Sequence, residues 1–451
     1  MCFCFRVGLP RTQRSGGLGT VSTMSLIEIQ KALRFLAQQS IAAMSKTSVG
    51  MSDYGQSTAY HNMQRDELIT TADSFGPAVD VLNGSKQIQK QFGASEGSRL
   101  AIQFVYNTCR LIGTGQTIEQ ASDLIWKAFV EEMNKPTWSY KAVTNLQNII
   151  CSSYPVTLSD GLAVRARSFD ELSLLLDWGH HELESLSDDW HVGGGSSFVL
   201  VAESEVEKTS LNFIQGNDPD LLTLLSRALL AMRLVAPGDV NIGKIFFAKP
   251  TIFKVGGSGL FSAGFGIWHP GSAYELTSER VPLVQEAILN LAALENRVGK
   301  STSTLKLALR SFSSIYDRPH HQPEDRIVDA ITALEALWQI DQELSFKLAF
   351  RTASFLASSD EERVAIFDTL KAYYSVRSKS VHGGAIKSEH MQLIQNDEPL
   401  RSIVRRMLKA FLHLAIHPSN WTLERLVEEA DRSLIHSSHR LEIQSSAGIS
   451  I

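Results

Sequence analysis

A chain of 451 residues has room for about three domains. With 43% hydrophobic and 20% charged residues, it has the composition of a core-forming globular protein. Its formal charge of -5 excludes broad, charge-driven binding of nucleic acid and leaves only a local basic patch for such a partner.

The four cysteines (Cys2, Cys4, Cys109 and Cys151) match neither zinc-ligand nor disulfide-scaffold spacing, which suits a reducing, cytoplasmic setting. No apolar run reaches the roughly 18 residues of a membrane helix, so no membrane partner is expected. Residues 1–24 read as a disordered tail, and Met24 opens a clean helical pattern.

Residues 25–155 read as a mainly helical region. Leu26, Ile29, Leu33, Phe35, Leu36 and Ile41 recur at helical spacing as far as Met44. A polar stretch from Ser45 to Asp66 reads as a loop. Helical spacing returns at Leu100, Phe104, Val105 and Leu111 and runs on to Met133 before Pro136 breaks it. A further helix is expected from Tyr140 to Cys151.

Residues 156–276 change character and read as a mixed α and β domain. Strands are expected at Gly161–Arg167, Ser197–Ala202, Lys244–Pro250 and Thr251–Val255, and helices at Phe169–Leu186 and Leu221–Val235. A deep apolar pocket in this domain would point to small-molecule sensing.

From Thr277 to Leu434 there is no strand signal, and successive helical patterns predict a bundle over residues 277–435. One helix is clear at Pro323–Gln339. Pro323 suits its first turn, Glu324 and Asp325 suit its positive end, and Ile327, Ala330, Ile331, Leu334, Leu337 and Trp338 form one stripe. Ser359 and Glu362 have capping-box spacing before a helix striped by Phe367, Leu370 and Tyr374, with Arg377 next in that series. Residues 436–451 read as a second disordered tail. The fold class expected for the chain is therefore α+β, mostly α.

Several motifs have plain structural readings. Val298-Gly-Lys-Ser-Thr302 resembles the end of a phosphate loop, but Leu294 stands where that loop needs glycine and a helical pattern precedes it. His180, His181, Glu182, Glu184, Asp188, Asp189 and His191 lack the spacing of a helical zinc site and read as a solvated face. His320 and His321 read as loop residues, and the glycines of 256–266 as turns between strands.

An arginine followed five to seven residues later by a histidine occurs as Arg377/His382, Arg406/His413 and Arg432/His439, so spacing cannot select among them. Context favours Arg377, at an expected helix end, and His382, beside Gly383 and Gly384, where backbone and ligand can approach closely. The alternative is that Arg377 caps the helix carbonyls and His382 lies on the surface.

Three blocks occur in order: Asp325–Trp338, Glu343–Arg351 and Val376–Gly383. Together they resemble the Apea-like branch of the HEPN (higher eukaryotes and prokaryotes nucleotide-binding) superfamily, over residues 280–417. The resemblance implies a dimerising helical bundle whose active members are metal-independent endoribonucleases, with RNA as partner and no cofactor. It places the catalytic pair on Arg377 and His382, with Glu335 orienting one of them. Histidine would serve as acid or base and the guanidinium as a phosphate clamp. Active members commonly carry Asn, Asp or His after the arginine, where Ser378 stands here, and the alternative is a non-catalytic dimerisation module that binds a nucleotide or a protein. Ser378 and Lys379 are expected to approach the nucleic acid. Arg401, Arg405 and Lys409, four apart on one helix face, read as an RNA-backbone track or as a solvated face.

Overall fold

Helices dominate both ends of the chain and a small antiparallel sheet lies in its middle, which is the expected mostly helical α+β class. The computed structural model describes residues 25–47, 59–113, 115–168, 172, 197–209, 219–248, 271–318, 323–340, 342–382, 390–417 and 419–449. The chain divides into two units, Met1–Lys135 with Lys208–Ile214 and Pro136–Glu207 with Gln215–Ile451. The expected strand at Thr251–Val255, the helix at Phe169–Leu186, the histidine-rich segment 180–191, His320, His321, Gly383, Gly384 and the first tail lie outside the described residues.

The first unit is helical: α1 (Leu26–Met44), α2 (Ala59–Thr70), α3 (Phe75–Gly84), α4 (Lys86–Phe92), α5 (Gly97–Gly113) and α6 (Ile118–Asn134). Ser25 and Glu28 cap α1 reciprocally, and Ile29, Leu33, Leu36 and Ile41 form its buried stripe. Thr117 and Gln120 make the same box on α6, which stops two residues before Pro136. Part of the segment expected as loop is α2. Its sequence is polar, and it is held by tertiary contacts: Arg65 and Ile69 are buried four residues apart, and the Tyr106 hydroxyl donates to Asp66 at 2.7 Å.

The helix expected over Tyr140–Cys151 is a correction. This segment forms most of β1 (Thr137–Gln147) and all of β2 (Ile149–Cys151). β1 lies between two neighbours and is buried continuously from Ala142 to Gln147. A strand covered on both faces loses its apolar–polar alternation, so its apolar residues can be fitted to a helical period. The boundary of the sheet-bearing unit therefore falls at Pro136 instead of residue 156.

The sheet has the order β3-β4-β5-β1-β6, with β3 (Val156–Ser159), β4 (Leu162–Ala166), β5 (Phe198–Glu207) and β6 (Asn241–Ala248). All its pairings are antiparallel, and Val143 of β1 sits opposite Val201 on one side and Phe246 on the other. A short parallel pair joins β2 to β7 (Tyr274–Leu276). Helix α7 (Pro219–Val235) packs on β1 and β5 and also on the bundle, so the middle region and the bundle share one unit.

The bundle contains α8 (Arg280–Glu295), α9 (Lys300–Asp317), α10 (Pro323–Trp338), α11 (Leu344–Leu356), α12 (Asp360–His382), α13 (Met391–Gln395), α14 (Glu398–Ile416), α15 (Leu423–Ser433) and α16 (Ser437–Ser446). Every residue of the expected α10 stripe is buried. Trp338 from α10 meets Phe355 and Phe411 edge-on, with centroids 5.7 and 5.2 Å away, and its indole N–H donates to Thr352 at 2.9 Å. Ser359 caps α12 through the Glu362 amide, but Glu362 reaches back to Ser358 rather than Ser359.

The second expected tail is also a correction, because residues 437–446 form α16. Gln444 is buried and donates to the carbonyls of Phe355 and Ala357, at 3.1 and 2.9 Å, at the end of α11. A helix end leaves carbonyls without intrahelical partners, and this side chain satisfies two of them from far along the sequence.

A network of arginines and carboxylates ties α7, α10 and α14 to the segment before β6. Arg401 pairs with Asp239 at 2.6 Å, Asp397 at 3.0 Å and Glu398 at 3.1 Å. Arg326 reaches the second oxygen of Asp397 at 2.9 Å. Arg405 pairs with Glu398 at 3.1 Å and donates to the Arg233 carbonyl at 2.9 Å. Arg233, fully buried, donates to the Val240 carbonyl, to Ser313 and to Asn241, and its guanidinium lies 4.5 Å from the Tyr316 ring centroid. Burial lowers the affinity of Arg233 for its proton, while Asp317 opposes that effect. Burial would raise the Asp239 carboxyl, but Arg401 and the hydrogen bonds from Ser272 outweigh it and hold Asp239 below its ordinary value.

Candidate active site

The nominated residues sit on two helices of the bundle that pack side by side, α10 and α12. Helix α12 continues five residues beyond Arg377 and ends at His382, so Arg377 lies inside the helix and not at its end. The buried stripe of α12 is Ile366, Leu370, Tyr373 and Val376, which shares Leu370 with the expected series and otherwise lies one position before it. Arg377 therefore flanks the core, and its side chain is 21% exposed.

From this flank Arg377 Nη2 donates to Glu335 Oε2 of α10 at 3.1 Å. Two of the three residues nominated for chemistry, 42 positions apart, are thus in contact. Tyr374, one turn earlier, completes the cluster with its ring centroid 5.7 Å from the guanidinium. Burial first, and then the adjacent Glu335 carboxylate, raises the Tyr374 phenol above its ordinary value. Tyr374 was read as a stripe residue, although its place three residues before Arg377 already put both on one helix face.

Arg377 Nε and Glu335 Oε1 are shielded from solvent. The Glu335 carboxylate also accepts a hydrogen bond from the Tyr374 hydroxyl, so the three side chains form one small polar cluster at the edge of the core.

His382 is exposed at the last position of α12, and Ser378 and Lys379 are half-buried. Five residues correspond to about 140° around an α-helix, so Arg377 and His382 stand on different sides of α12. One chain brings Arg377 together with Glu335 and does not bring His382 to them.

The expected RNA track on α14 is corrected. Arg401 and Arg405 are only 5% and 6% exposed, and both are engaged by the carboxylate network. Only Lys409 of that trio is exposed. Four-residue spacing placed the three on one face, and packing buried the part of that face that carries Arg401 and Arg405. Gly299, in the loop-like motif, is the residue that caps α9 (φ 141°), and a helix, not a strand, precedes it. The other two arginine–histidine pairs are also placed: Arg406 pairs with Glu362 at 2.9 Å, and Arg432 and His439 lie on α15 and α16.

Two cavities stand out in the second unit, and neither is lined by Arg377 or His382. One lies among α7, α8, α14 and the end of α16, and the other among α7, α8 and α9. Among the described residues no group of three or more His, Cys, Asp or Glu side chains could hold a metal ion. No described helix is long and apolar enough to cross a membrane. Compared with protein-family models, with curated proteins and with solved structures, the chain matches none.

Proposed function

We propose that the chain is a metal-independent endoribonuclease of HEPN type that works as a homodimer in the cytoplasm, in a defence or toxin setting. The observation that carries this reading is the contact between Arg377 and Glu335, which brings together two of the three residues expected to do chemistry. In this reading Arg377 clamps the scissile phosphate, Glu335 positions the guanidinium, and His382 transfers a proton. The ribose 2′-oxygen attacks phosphorus as a base takes its proton. The bond to the 5′-oxygen breaks, and an acid protonates that leaving oxygen, giving a 2′,3′-cyclic phosphate and a free 5′-hydroxyl. Because Arg377 and His382 stand on different sides of α12, the site needs two facing copies of that helix end. Ser378 and Lys379 would hold the neighbouring backbone.

The test is incubation of the purified protein with end-labelled RNA in EDTA, beside Arg377→Ala, His382→Ala and Glu335→Gln. The expected result is cleavage to cyclic-phosphate ends, reduced about 100-fold or more by either alanine substitution and less by Glu335→Gln. Cleavage that survives both alanine variants overturns these assignments.

A second reading, a non-catalytic module that dimerises and binds a nucleotide or a protein, is favoured by Ser378 and by the separation of Arg377 from His382. Absence of cleavage by the wild-type protein supports it.

A further inference from the structure

The cavity among α7, α8, α14 and the end of α16 has features that the ribonuclease reading does not use. Its volume is about 450 Å³, within the range of small-ligand sites. Leu283, Leu356 and Leu412 supply apolar wall. The polar part comes from α14 and from Glu286 and Asn290 of α8. Arg406, Lys409 and His413 follow one another at intervals of three and four residues, so all three lie on one face of α14.

These groups differ in how far they are already satisfied. Arg406 donates to the Leu356 carbonyl at 3.0 Å and pairs with Glu362 at 2.9 Å. Lys409 is exposed and has no ion pair among the described residues. The His413 ring lies against His417, with centroids 4.2 Å apart, and burial and then His417 lower its proton affinity while Glu286 opposes them. The rim therefore holds one unpaired cation, a ring able to donate or accept, and one carboxylate.

The edge formed by the end of α16 is closely fitted. Gly448 has φ +69°, a conformation open to glycine, and a Cβ there would stand 3.4 Å from the His413 ring. The Ile449 amide donates to the Gln444 carbonyl at 2.9 Å, which holds this turn over the cavity.

We infer that this cavity is a binding site for a small amphipathic monoanion, an alkyl or aryl carboxylate, with its apolar body against the leucines and its head group at Lys409. Arg406 and Asn290 add donors for the head group. Glu286 across the cavity disfavours a second negative charge on the ligand, which separates a carboxylate from a fully ionised phosphate. A neutral amphiphile gains the apolar contacts but leaves Lys409 unpaired.

Titration calorimetry on the full chain with octanoate, octyl phosphate and octanol tests this inference. Octanoate is expected to bind saturably, at least about 10-fold more tightly than octanol, the equivalent of roughly 1.4 kcal/mol. Lys409→Glu, at an exposed position that leaves the fold intact, is expected to abolish that preference. Leu283→Trp, at a half-exposed wall position, is expected to block all three probes by filling the cavity. Equal binding of octanoate and octanol, tighter binding of octyl phosphate, unchanged binding by Lys409→Glu, or no saturable binding of octanoate would each overturn the inference.

Discussion

The second unit contains two arginine–carboxylate clusters of the same chemistry and opposite character. Around Arg401, every partner is itself held: Asp239 by Ser272, Asp397 by Arg326 and Glu398 by Arg405. Around Arg377 there is a single carboxylate, Glu335, with the Tyr374 ring beside the guanidinium. A buried cation that meets three carboxylates fixes the packing of the elements that carry them. A cation that meets a single carboxylate at the edge of the core has fewer partners to strand. Basic residues in a row are therefore weak evidence for nucleic-acid contact until the burial of each is known.

This contrast is sharpest in the cost of breaking each cluster. Arg401→Ala leaves Asp239, Asp397 and Glu398 without their shared cation, and removing one partner from such a buried set costs about 3–5 kcal/mol. Denaturant unfolding of the full chain measures this loss, and a change below about 1 kcal/mol would remove the distinction.

An intermediate effect is expected at Gln444, which is buried like Arg401 but neutral. Gln444→Leu strands the carbonyls of Phe355 and Ala357 and should cost about 1–3 kcal/mol. Hydrogen exchange should show early opening of α16 while α10 stays protected.

The clusters should also differ with pH. The folded-state carboxyl of Asp239 lies below its ordinary value, so its contribution is complete above the ordinary carboxylate range and is lost as pH falls through the folded value. Acid unfolding of the wild type should therefore steepen below about pH 4, and Asp239→Asn should flatten that dependence. An identical acid profile would mean that Asp239 is not stabilised as a carboxylate.

The smallest effect on stability is expected at Arg377. Its pair is partly exposed and single, so Arg377→Ala should cost less than about 1 kcal/mol, and under the proposed ribonuclease function it should reduce cleavage about 100-fold or more. A loss of several kcal/mol would make the Arg377–Glu335 pair another structural clamp and would remove the basis for its catalytic role.

The legibility of the sequence followed the range of the forces involved. The stripe on α10, the Ser359 cap of α12 and the break at Pro136 depend on residues within a few positions of one another, and the sequence shows them directly. β1 is not legible in this way, because its pairing partners β5 and β6 lie roughly 60 and 100 positions away and its residues from Ala142 to Gln147 are buried without alternation. Segment 437–446 read as a tail because the carbonyls that hold Gln444 lie far back in the chain. At the candidate site, the three blocks pointed to Arg377, Glu335 and His382, yet the shift of the buried stripe to Val376 and the continuation of α12 to His382 depend on packing against α10.

The sequence by itself thus determined the mostly helical class, the α12 cap, the α10 stripe and the candidates Arg377, Glu335 and His382. Helical periodicity, capping and proline breaks are short-range constraints that any local window carries. Only the tertiary structure decided which arginines are sealed among several carboxylates and which meet a single one. Burial and ion pairing depend on residues brought together from distant parts of the chain: Asp239 with Arg401, Arg233 with Ser313, Glu335 with Arg377.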